Sequence, residues 1–459
     1  MEISHQLIQK YNIAVPRYTS YPPANHFQDV FPATEALSLI DESNSCTPDN
    51  IALYIHIPFC KKICFYCGCN TTLMKQEETI ARYIESVKQE IRMVASRLDR
   101  KRKVTQVHYG GGTPNSISAH YLEEINQLIF DLFDFIPRPE IAIECHPAHL
   151  DELYLQRLLN ARFNRFSIGV QDFNDEVLDT VNRSRAAMPV EEIVRFLKEA
   201  NPTISVNLDF IYGLPGQTVE NFNQTIAKAI RIRPDRLVTF SYAHVPWLKK
   251  HQQILEKRGL PGSQEKIDLF MSSRRLLLDA GYVPIGLDHY VLPTDELNLA
   301  LANQQLHRNF QGYCTRRTTG QVYAFGVSSI SQLETGYFQN VKDISAYMES
   351  IGNGQLPVEK GMRVTVDQQL IRAVIEDVMC NKRIDITAFC ARQGITYEQF
   401  VAVTGFNPAA LTEMSTDGLI GYQDKILEIT DTGSFFIRNI ACVFDPAYQT
   451  QAGKYSQSV

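Results

Sequence analysis

Residues 54–69 read YIHIPFCKKICFYCGC, in which an apolar, β-branched run stops at a proline and four cysteines follow. The run predicts a buried strand over Ile51–Ile57. Cys60, Cys64, Cys67 and Cys69 have the spacing C-x3-C-x2-C-x-C. In a loop that leaves a strand, the first three thiolates can converge on one face of a four-iron cluster. One iron would then lack a protein ligand and stay open for chemistry, as the open position of catalytic zinc does.

Two other kinds of cysteine site fit part of this pattern. A zinc ribbon needs a second, separated C-x2-C pair, which the sequence lacks. A thioredoxin-like redox site would use Cys64 and Cys67 but would leave Cys60 and Cys69 without a role. The iron–sulfur interpretation is favoured because it gives a role to Cys60 as well as to Cys64 and Cys67.

The composition places the chain among ordinary globular proteins. It has 459 residues, of which 44% are hydrophobic and 21% charged, and a net charge of -6 that argues against a nucleic-acid surface. No apolar run approaches the roughly 20 residues of a membrane span, and the first residues do not resemble a secretory signal. Six of the ten cysteines are scattered, unlike a disulfide scaffold. We therefore expect a cytoplasmic protein without a membrane span or nucleic-acid partner.

From residue 51 onward, short β-rich runs alternate with longer amphipathic runs. The strands are near-continuous apolar runs, as in parallel strands covered on both faces. Six such units predict an α/β barrel or open barrel. The predicted strands are Ile51–Ile57, Thr105–Tyr109, Glu140–Cys145, Arg165–Val170, Ser205–Tyr212 and Arg236–Tyr242. The predicted helices are Glu77–Leu98, Ala119–Phe133, Leu150–Ala161, Val190–Ala200, Val219–Ile230 and Gln264–Ala280.

The regions on either side of these units have a different character. Residues 1–50 lack the alternation and carry tandem prolines, which favour an extended arm. Residues 51–362 hold the barrel with an extension, and residues 363–459 have the pattern of a mainly helical domain. Polar residues follow or end each predicted strand, and in β/α barrels the chemistry lies at those carboxyl ends.

The cysteine spacing after the first strand resembles that of radical S-adenosylmethionine (SAM) enzymes. Gly111-Gly112-Thr113-Pro114, after the second strand, resembles the glycine-rich motif of the same family. The glycines would let the backbone approach the methionine part of SAM. The resemblance implies an open, three-quarter β6/α6 barrel, a [4Fe-4S] cluster on Cys60, Cys64 and Cys67, and SAM as cofactor.

Further motifs resemble the oxygen-independent coproporphyrinogen III oxidase (coproporphyrinogen dehydrogenase) family over nearly the whole chain. They are residues 17–22 (RYTSYP), 67–69 (CGC), 169–173 (GVQDF), 209–215 (DFIYGLP), 307–313 (HRNFQGY) and 437–439 (IRN). This resemblance implies an oxidoreductase of haem biosynthesis. The enzyme would use a 5′-deoxyadenosyl radical to decarboxylate two propionates of coproporphyrinogen III to vinyl groups. We also expect a monomer and an electron donor such as flavodoxin or ferredoxin.

The same resemblance implies roles for individual residues. Cys69 would act in catalysis without ligating the cluster. Arg17 and Arg308 would clamp propionates, since a guanidinium pairs bidentately with a carboxylate, and Arg316 and Arg317 are weaker candidates. The cofactor-contacting positions would be Tyr54, Tyr66, Gly111, Gly112, Thr113, Glu144, Gln171, Arg183, Asp209, Ala243 and Ile330.

The sequence departs from the family pattern at His146, Ala148 and Leu292, where an acidic residue and arginines are expected near prolines. Because two of the expected arginines are missing, two functions other than coproporphyrinogen oxidation stay as alternatives. One is a paralogous radical SAM enzyme, such as a methyltransferase or a haem-degrading enzyme. The other is a haem chaperone with His244 or His289 as an axial ligand.

Overall fold

The computed structural model describes residues 4–310, 312–315 and 320–450. The strands are β1 (Ile51–Ile57), β2 (Phe59–Cys60), β3 (Thr72–Leu73), β4 (Lys103–Gly111), β5 (Asp134–Cys145), β6 (Arg165–Gln171), β7 (Ser205–Tyr212), β8 (Arg236–Ser241), β9 (Val283–Ile285), β10 (His289–Val291), β11 (Leu306–Asn309), β12 (Gly312–Thr315), β13 (Gln321–Phe325), β14 (Ile330–Leu333), β15 (Gly336–Asn340), β16 (Val358–Arg363), β17 (Arg383–Asp385), β18 (Ile420–Gln423) and β19 (Ile426–Ile429).

The helices are α1 (His5–Tyr11), α2 (Ala33–Ser43), α3 (Glu77–Ala95), α4 (Ala119–Leu132), α5 (Glu152–Asn160), α6 (Asp175–Thr180), α7 (Val190–Ala200), α8 (Val219–Ile232), α9 (Gln253–Glu256), α10 (Ser263–Asp279), α11 (Glu296–Ala302), α12 (Ile344–Gly352), α13 (Val366–Asn381), α14 (Ile386–Gln393), α15 (Tyr397–Thr404), α16 (Thr412–Thr416), α17 (Ile437–Ala441) and α18 (Pro446–Thr450). Within the described ranges, no helix has the length and apolar character needed to cross a membrane.

One large sheet has the strand order β16-β15-β14-β13-β1-β4-β5-β6-β7-β8-β10-β9. The six predicted strands are the consecutive parallel neighbours β1, β4, β5, β6, β7 and β8. The predicted α/β fold is confirmed. The two ends of the sheet, β16 and β9, are not paired with each other among the described strands.

A further parallel strand, β13, lies on the other side of β1 and was not predicted. Ile51 pairs with Gln321 and Ile55 with Phe325 in this register. The pairing joins residues about 270 positions apart, and β13 is a short, fully buried run whose apolar character does not specify a partner. It covers the edge of β1 with backbone hydrogen bonds and so anchors the strand that leads into the cysteine loop.

Helix α7 illustrates how the helices bury one face. Its buried residues Val190, Ile193, Val194 and Leu197 follow the i, i+3, i+4, i+7 pattern. All four belong to the same core as the strands. The helix on the next crossover, α8, begins with a capping box in which Thr218 and Asn221 exchange side-chain bonds with each other's backbone. Local sequence therefore fixes which face α7 buries and where α8 begins.

The beginning and the end of the chain share a second core. Ile8, Tyr11, Val15, Tyr18 and Tyr21 pack in one apolar cluster with residues from α13 to the segment after α17. Helix α2, by contrast, packs into the main core. The division into residues 1–50, 51–362 and 363–459 stays a prediction, and the mainly helical character of the last part is confirmed.

Candidate active site

The cysteine loop leaves the carboxyl end of β1 and is closed at its base by a short parallel pair, β2 with β3. The amide of Thr72 donates to the Pro58 carbonyl at 2.8 Å, and the amide of Met74 donates to the Cys60 carbonyl at 2.8 Å. This pairing returns the chain beside its starting point, so the cysteines stay at the carboxyl edge of the sheet.

The four thiols of the loop have different surroundings. Cys60 is buried, and its sulfur lies 3.2 Å from the Thr113 hydroxyl. The sulfur of Cys64 accepts a hydrogen bond from Arg183 Nη1 at 3.6 Å. A hydrogen bond from Cys69 lowers the pKa of Cys67 to about 6. The same hydrogen bond is the main reason why the pKa of Cys69 is raised.

The thiols fit an iron–sulfur cluster better than a single metal ion. In the part of the chain that the structure describes, no three His, Cys, Asp or Glu side chains are close enough to hold one ion. A cluster does not require that closeness, because each thiolate ligates a different iron. The Arg183 guanidinium places a positive charge beside the Cys64 sulfur. The thiol ligands and the residues around them therefore fit an iron–sulfur cluster.

Gly111 and Gly112 bring the end of β4 against the cysteine loop. The amides of Gly112 and Thr113 donate to the carbonyls of Ile57 and Phe59 at 2.8 and 3.1 Å. A side chain at Gly111, whose φ is 115°, would begin 2.7 Å from the His56 ring, and one at Gly112 would begin 2.5 Å from the Pro58 carbonyl oxygen. These glycines therefore allow the end of β4 to come close to β1 and to the residues that follow β1. Their contact with SAM stays a prediction.

Glu144 and Tyr54 lie side by side at the carboxyl end of the sheet. A side chain at Gly110 would begin 2.8 Å from Glu144 Oε1 and 3.0 Å from the Tyr54 hydroxyl. His108 Nε2 lies 3.1 Å from Glu144 Oε1. The Glu144 side chain keeps 45% of its surface exposed. One carboxylate is therefore fixed in place and still open to a cationic ligand group such as an ammonium.

Gln171 and Arg183 meet beside Gly169, where β6 shifts register against β7. Gln171 has a φ of 71°, and its Oε1 is buried with no partner among the described residues. Arg183 donates to the Tyr66 hydroxyl at 2.7 Å and to the Gly169 carbonyl. A buried amide oxygen without a partner is costly, so Gln171 fits a ligand that donates a hydrogen bond.

Asp209, on β7, lies across from Gly169. Its carboxylate accepts hydrogen bonds from Ser167 and Asn207, both at 2.7 Å. Burial raises its pKa to about 6, and the negative charge of Glu144 adds to this shift. The structure therefore brings the predicted Glu144, Gln171 and Asp209 together across three neighbouring strands.

Two predicted cofactor positions lie apart from this group. Ala243 follows β8, and its carbonyl accepts a hydrogen bond from Gln252 Nε2 at 3.4 Å. Ile330 begins β14, which is separated from β1 by β13. It packs against Phe27, Tyr337 and Val364. Their contact with SAM stays a prediction.

The predicted clamp residues have further cations beside them that the sequence did not point to as a group. The Arg308 guanidinium lies 5.1 Å from the centre of the Tyr313 ring, and its Nε has no partner among the described atoms. Arg438 donates to the carbonyls of Pro16, at 2.9 Å, and Val15, directly before Arg17. Burial and the charges of Arg17 and Arg308 lower the pKa of Arg438 to about 10.

Lys266, on α10, belongs to the same cationic region. Its pKa is lowered by burial and by the charge of Arg17, and its ammonium donates to the Tyr242 carbonyl at 3.1 Å. Arg438 lies in the 437–439 motif, which was a signal for it, whereas nothing in the sequence around Lys266 pointed to the site. Arg316 and Arg317 lie outside the described residues.

The residues that depart from the family pattern have structural roles here. His146 Nδ1 accepts a hydrogen bond from the Ala148 amide at 3.1 Å. Burial lowers the pKa of His146 to about 2, so it carries no positive charge at neutral pH. Leu292 packs against the main core. These positions do not supply the missing cations.

The two histidines considered as haem ligands are both engaged within the protein. His244 lies 2.9 Å from the Tyr242 hydroxyl through Nδ1 and 2.8 Å from Glu256 through Nε2. His289 Nδ1 lies 2.6 Å from Asp288. Hydrogen bonds thus already use both ring nitrogens of His244, which weakens the case for axial ligation.

The segment after β8 holds the cysteine loop, which the sequence did not suggest. His251 Nε2 lies 2.8 Å from the Cys67 carbonyl oxygen, and Lys249 Nζ donates to the Cys69 carbonyl at 2.6 Å. Gln252 donates to the Tyr66 carbonyl at 2.9 Å. Three backbone carbonyls of the cysteine loop are therefore fixed from one segment.

Comparisons with known proteins agree with this geometry. Residues 54–229 match the radical SAM superfamily. The chain is 37% identical over 454 residues to the oxygen-independent coproporphyrinogen III oxidase of Synechocystis sp., and the match covers 98% of this chain and 97% of that protein. It is 35% identical to the protein of the same name from Escherichia coli, over 98% of this chain and 96% of the relative.

A solved structure of coproporphyrinogen III oxidase from Escherichia coli, described as a radical SAM enzyme, is similar with a TM-score of 0.88 and 33% identity. The similarity covers 97% of this chain and 99% of that one. It thus includes the N-terminal arm and the C-terminal region as well as the sheet with the cysteine loop. The chain belongs to the oxygen-independent coproporphyrinogen III oxidase family of radical SAM enzymes.

Proposed function

We propose that this protein converts coproporphyrinogen III to protoporphyrinogen IX in haem biosynthesis by oxidative decarboxylation of two propionates to vinyl groups, without oxygen. The observation that carries the proposal is similarity over 97–98% of the chain to coproporphyrinogen III oxidases. The segment shared with the whole superfamily is only residues 54–229. The rest includes the arm and the C-terminal region, which share one core.

The cofactors of this reaction are a [4Fe-4S] cluster and SAM. Cys60, Cys64 and Cys67 would hold the cluster. When bound, the two cofactors supply the 5′-deoxyadenosyl radical that removes a hydrogen atom from the propionate β-carbon. Glu144 would pair with the SAM ammonium, Gln171 would accept a hydrogen bond from SAM, and Asp209 would accept hydrogen bonds from the ribose hydroxyls. The other contacts would be Tyr54, Tyr66, Gly111, Gly112, Thr113, Arg183, Ala243 and Ile330.

The substrate brings several carboxylates into the site, and cations must neutralise them. We assign this role to Arg17 and Arg308, supported by Arg438 and Lys266. The lowered pKa values of Arg438 and Lys266 reflect burial together with nearby positive charge. An anionic ligand relieves such repulsion. This group would also compensate for the two arginines that the family pattern has near Pro147 and Pro293 and that this chain lacks.

Cys69 has a different place in the proposal from the three cluster ligands. Its thiol is exposed, whereas Cys60 is buried and Cys64 and Cys67 are partly buried. The Lys249 ammonium fixes its backbone carbonyl at 2.6 Å. A positioned, exposed thiol can transfer hydrogen during the reaction, so we propose that Cys69 acts on the substrate.

The reaction also needs partners outside this chain. We propose a cytoplasmic monomer that receives one electron from a small carrier such as flavodoxin or ferredoxin.

An anaerobic assay tests the function. The reconstituted protein is incubated with coproporphyrinogen III, SAM, dithionite and an electron-accepting extract, and mass spectrometry follows substrate, product and 5′-deoxyadenosine. We expect loss of two carbon dioxide molecules per substrate. Cys69→Ser should keep its iron and sulfide content but lose decarboxylation, whereas Cys46→Ser, outside the loop, should behave as the wild type. Formation of 5′-deoxyadenosine with intact porphyrinogen would reject this substrate.

A further inference from the structure

The segment from His244 to Arg258 presents an exposed surface directly behind the cysteine loop. Trp247 and Leu248 keep 74% and 72% of their surface exposed. Single exposed apolar residues are common, but two adjacent large ones beside a functional loop are a feature of interaction sites. Trp247 is also the only tryptophan in the sequence.

This surface is basic although the protein as a whole is acidic. Residues 244–258 contain four Lys or Arg and one Glu, whereas the whole chain has a net charge of -6. Lys250 and Lys257 are exposed, and their side chains form no hydrogen bond or ion pair with the residues that the structure describes. We call Trp247, Leu248, Lys250 and Lys257 the basic apolar patch. Exposed apolar residues and cations in one segment are complementary to an acidic partner with an exposed apolar group.

The segment is folded back on itself, so the patch has a defined shape. Gln252 Oε1 accepts from the Val245 amide at 2.6 Å, and His244 Nε2 lies 2.8 Å from Glu256. On its other side the segment bonds to the cysteine loop through Lys249, His251 and Gln252. The patch is therefore connected to the backbone of Cys67 and Cys69 by the hydrogen bonds of His251 and Lys249.

We propose that the basic apolar patch is the docking surface for a small acidic flavoprotein that delivers single electrons. The reduced flavin would give up one electron to the cluster that Cys60, Cys64 and Cys67 would hold, with no bond made or broken. The planar, apolar edge of a flavin would lie against Trp247, and acidic residues around it would face Lys250 and Lys257. A transient electron-transfer contact needs little area, in the range below about 1,200 Å². The inference rests on the proposed function only in that the cluster must be reduced.

Tryptophan fluorescence tests docking without any turnover. The reconstituted protein is titrated with an acidic flavodoxin at low and high salt, and Trp247 emission reports binding. We expect saturable quenching that weakens with salt. Lys250→Glu combined with Lys257→Glu should raise the Kd roughly tenfold at low salt. Lys101→Glu combined with Lys103→Glu is the matched control, because these exposed lysines lie at the opposite, amino end of β4.

A second measurement separates docking from the integrity of the site. Formation of 5′-deoxyadenosine is driven either by reduced flavodoxin or by dithionite. The Lys250→Glu, Lys257→Glu variant should be slow only with flavodoxin. Equal loss with dithionite, or an unchanged Kd, would overturn the proposal. If the double variant weakens the binding of an acidic iron–sulfur carrier but not that of flavodoxin, the assignment to a flavoprotein is overturned. Failure of the proposed function would appear separately, as dithionite-driven SAM cleavage with no decarboxylation.

Discussion

The Asp445 carboxylate ties the N-terminal arm to the end of the chain, and its removal should loosen the arm. Asp445 is 2% exposed. It accepts hydrogen bonds from the hydroxyls of Tyr18 at 2.9 Å and Tyr21 at 3.0 Å. These tyrosines follow Arg17, the predicted propionate clamp. Tyr18 has a φ of 50°, so this turn of the arm is in a conformation that needs support from outside.

The expected size of the effect follows from these two bonds. Asp445→Ala removes both hydrogen bonds to the carboxylate, at about 1.5 kcal/mol each, and the Cys442 sulfur, 3.3 Å from the Tyr18 hydroxyl, is a weaker acceptor. The sum of about 3 kcal/mol corresponds to about 100-fold more frequent opening of the arm. The substitution should also lower kcat/KM for coproporphyrinogen III, because Arg17 is no longer held in place. Cleavage of SAM in the absence of substrate should change little.

Hydrogen exchange followed by mass spectrometry measures this opening in peptides covering residues 12–28, with peptides of β1 as the internal reference. Asp445→Asn keeps an acceptor oxygen and should show a much smaller effect. Asp417→Ala is a second control, because Asp417 binds Lys10 and Tyr11 near the surface and does not touch residues 18–21. If the exchange rate of residues 12–28 in Asp445→Ala stays within threefold of the wild-type rate, the hydrogen bonds to Asp445 are not what holds the arm.

Three further predictions concern single charges. Arg308→Met should lower kcat/KM for coproporphyrinogen III about 10- to 100-fold, mainly by raising KM, because a charge-assisted hydrogen bond contributes about 1.5–3 kcal/mol. Unchanged steady-state kinetics would show that Arg308 does not bind the substrate. Burial raises the pKa of Asp209 to about 6, so the SAM dissociation constant from calorimetry should rise as pH falls through 6, and Asp209→Asn should bind more weakly without that pH dependence. Burial also raises the pKa of Glu90 from 4.5 to about 7, and a raised carboxyl pKa means that the free energy of unfolding falls as pH rises from about 4.5 to 7. Thermal unfolding should show this decline, of the order of 3 kcal/mol, in the wild type and not in Glu90→Gln; parallel pH profiles would contradict it.

The local elements and the chemistry of the site could be predicted from the amino-acid sequence. The predicted strands Ile51–Ile57 and Ser205–Tyr212 match the structure at both ends. The predicted helix Val190–Ala200 also matches. Their apolar patterns depend on neighbours in the chain, so these elements can be predicted without knowledge of the fold. The cysteine spacing and the other motifs likewise indicated the family, because each motif is a short run of neighbouring residues.

Which distant residues meet could not be predicted, because it depends on tertiary packing. The fold pairs Gln321–Phe325 with the first strand and joins the arm to the last helices through Asp445. It also brings Lys266 and Arg438 to the predicted clamp and sets the segment after β8 on the cysteine loop. Such contacts depend on long-range packing and on charge at close distance. Neither leaves a periodic trace in the sequence, because one lysine or one buried strand can serve many folds.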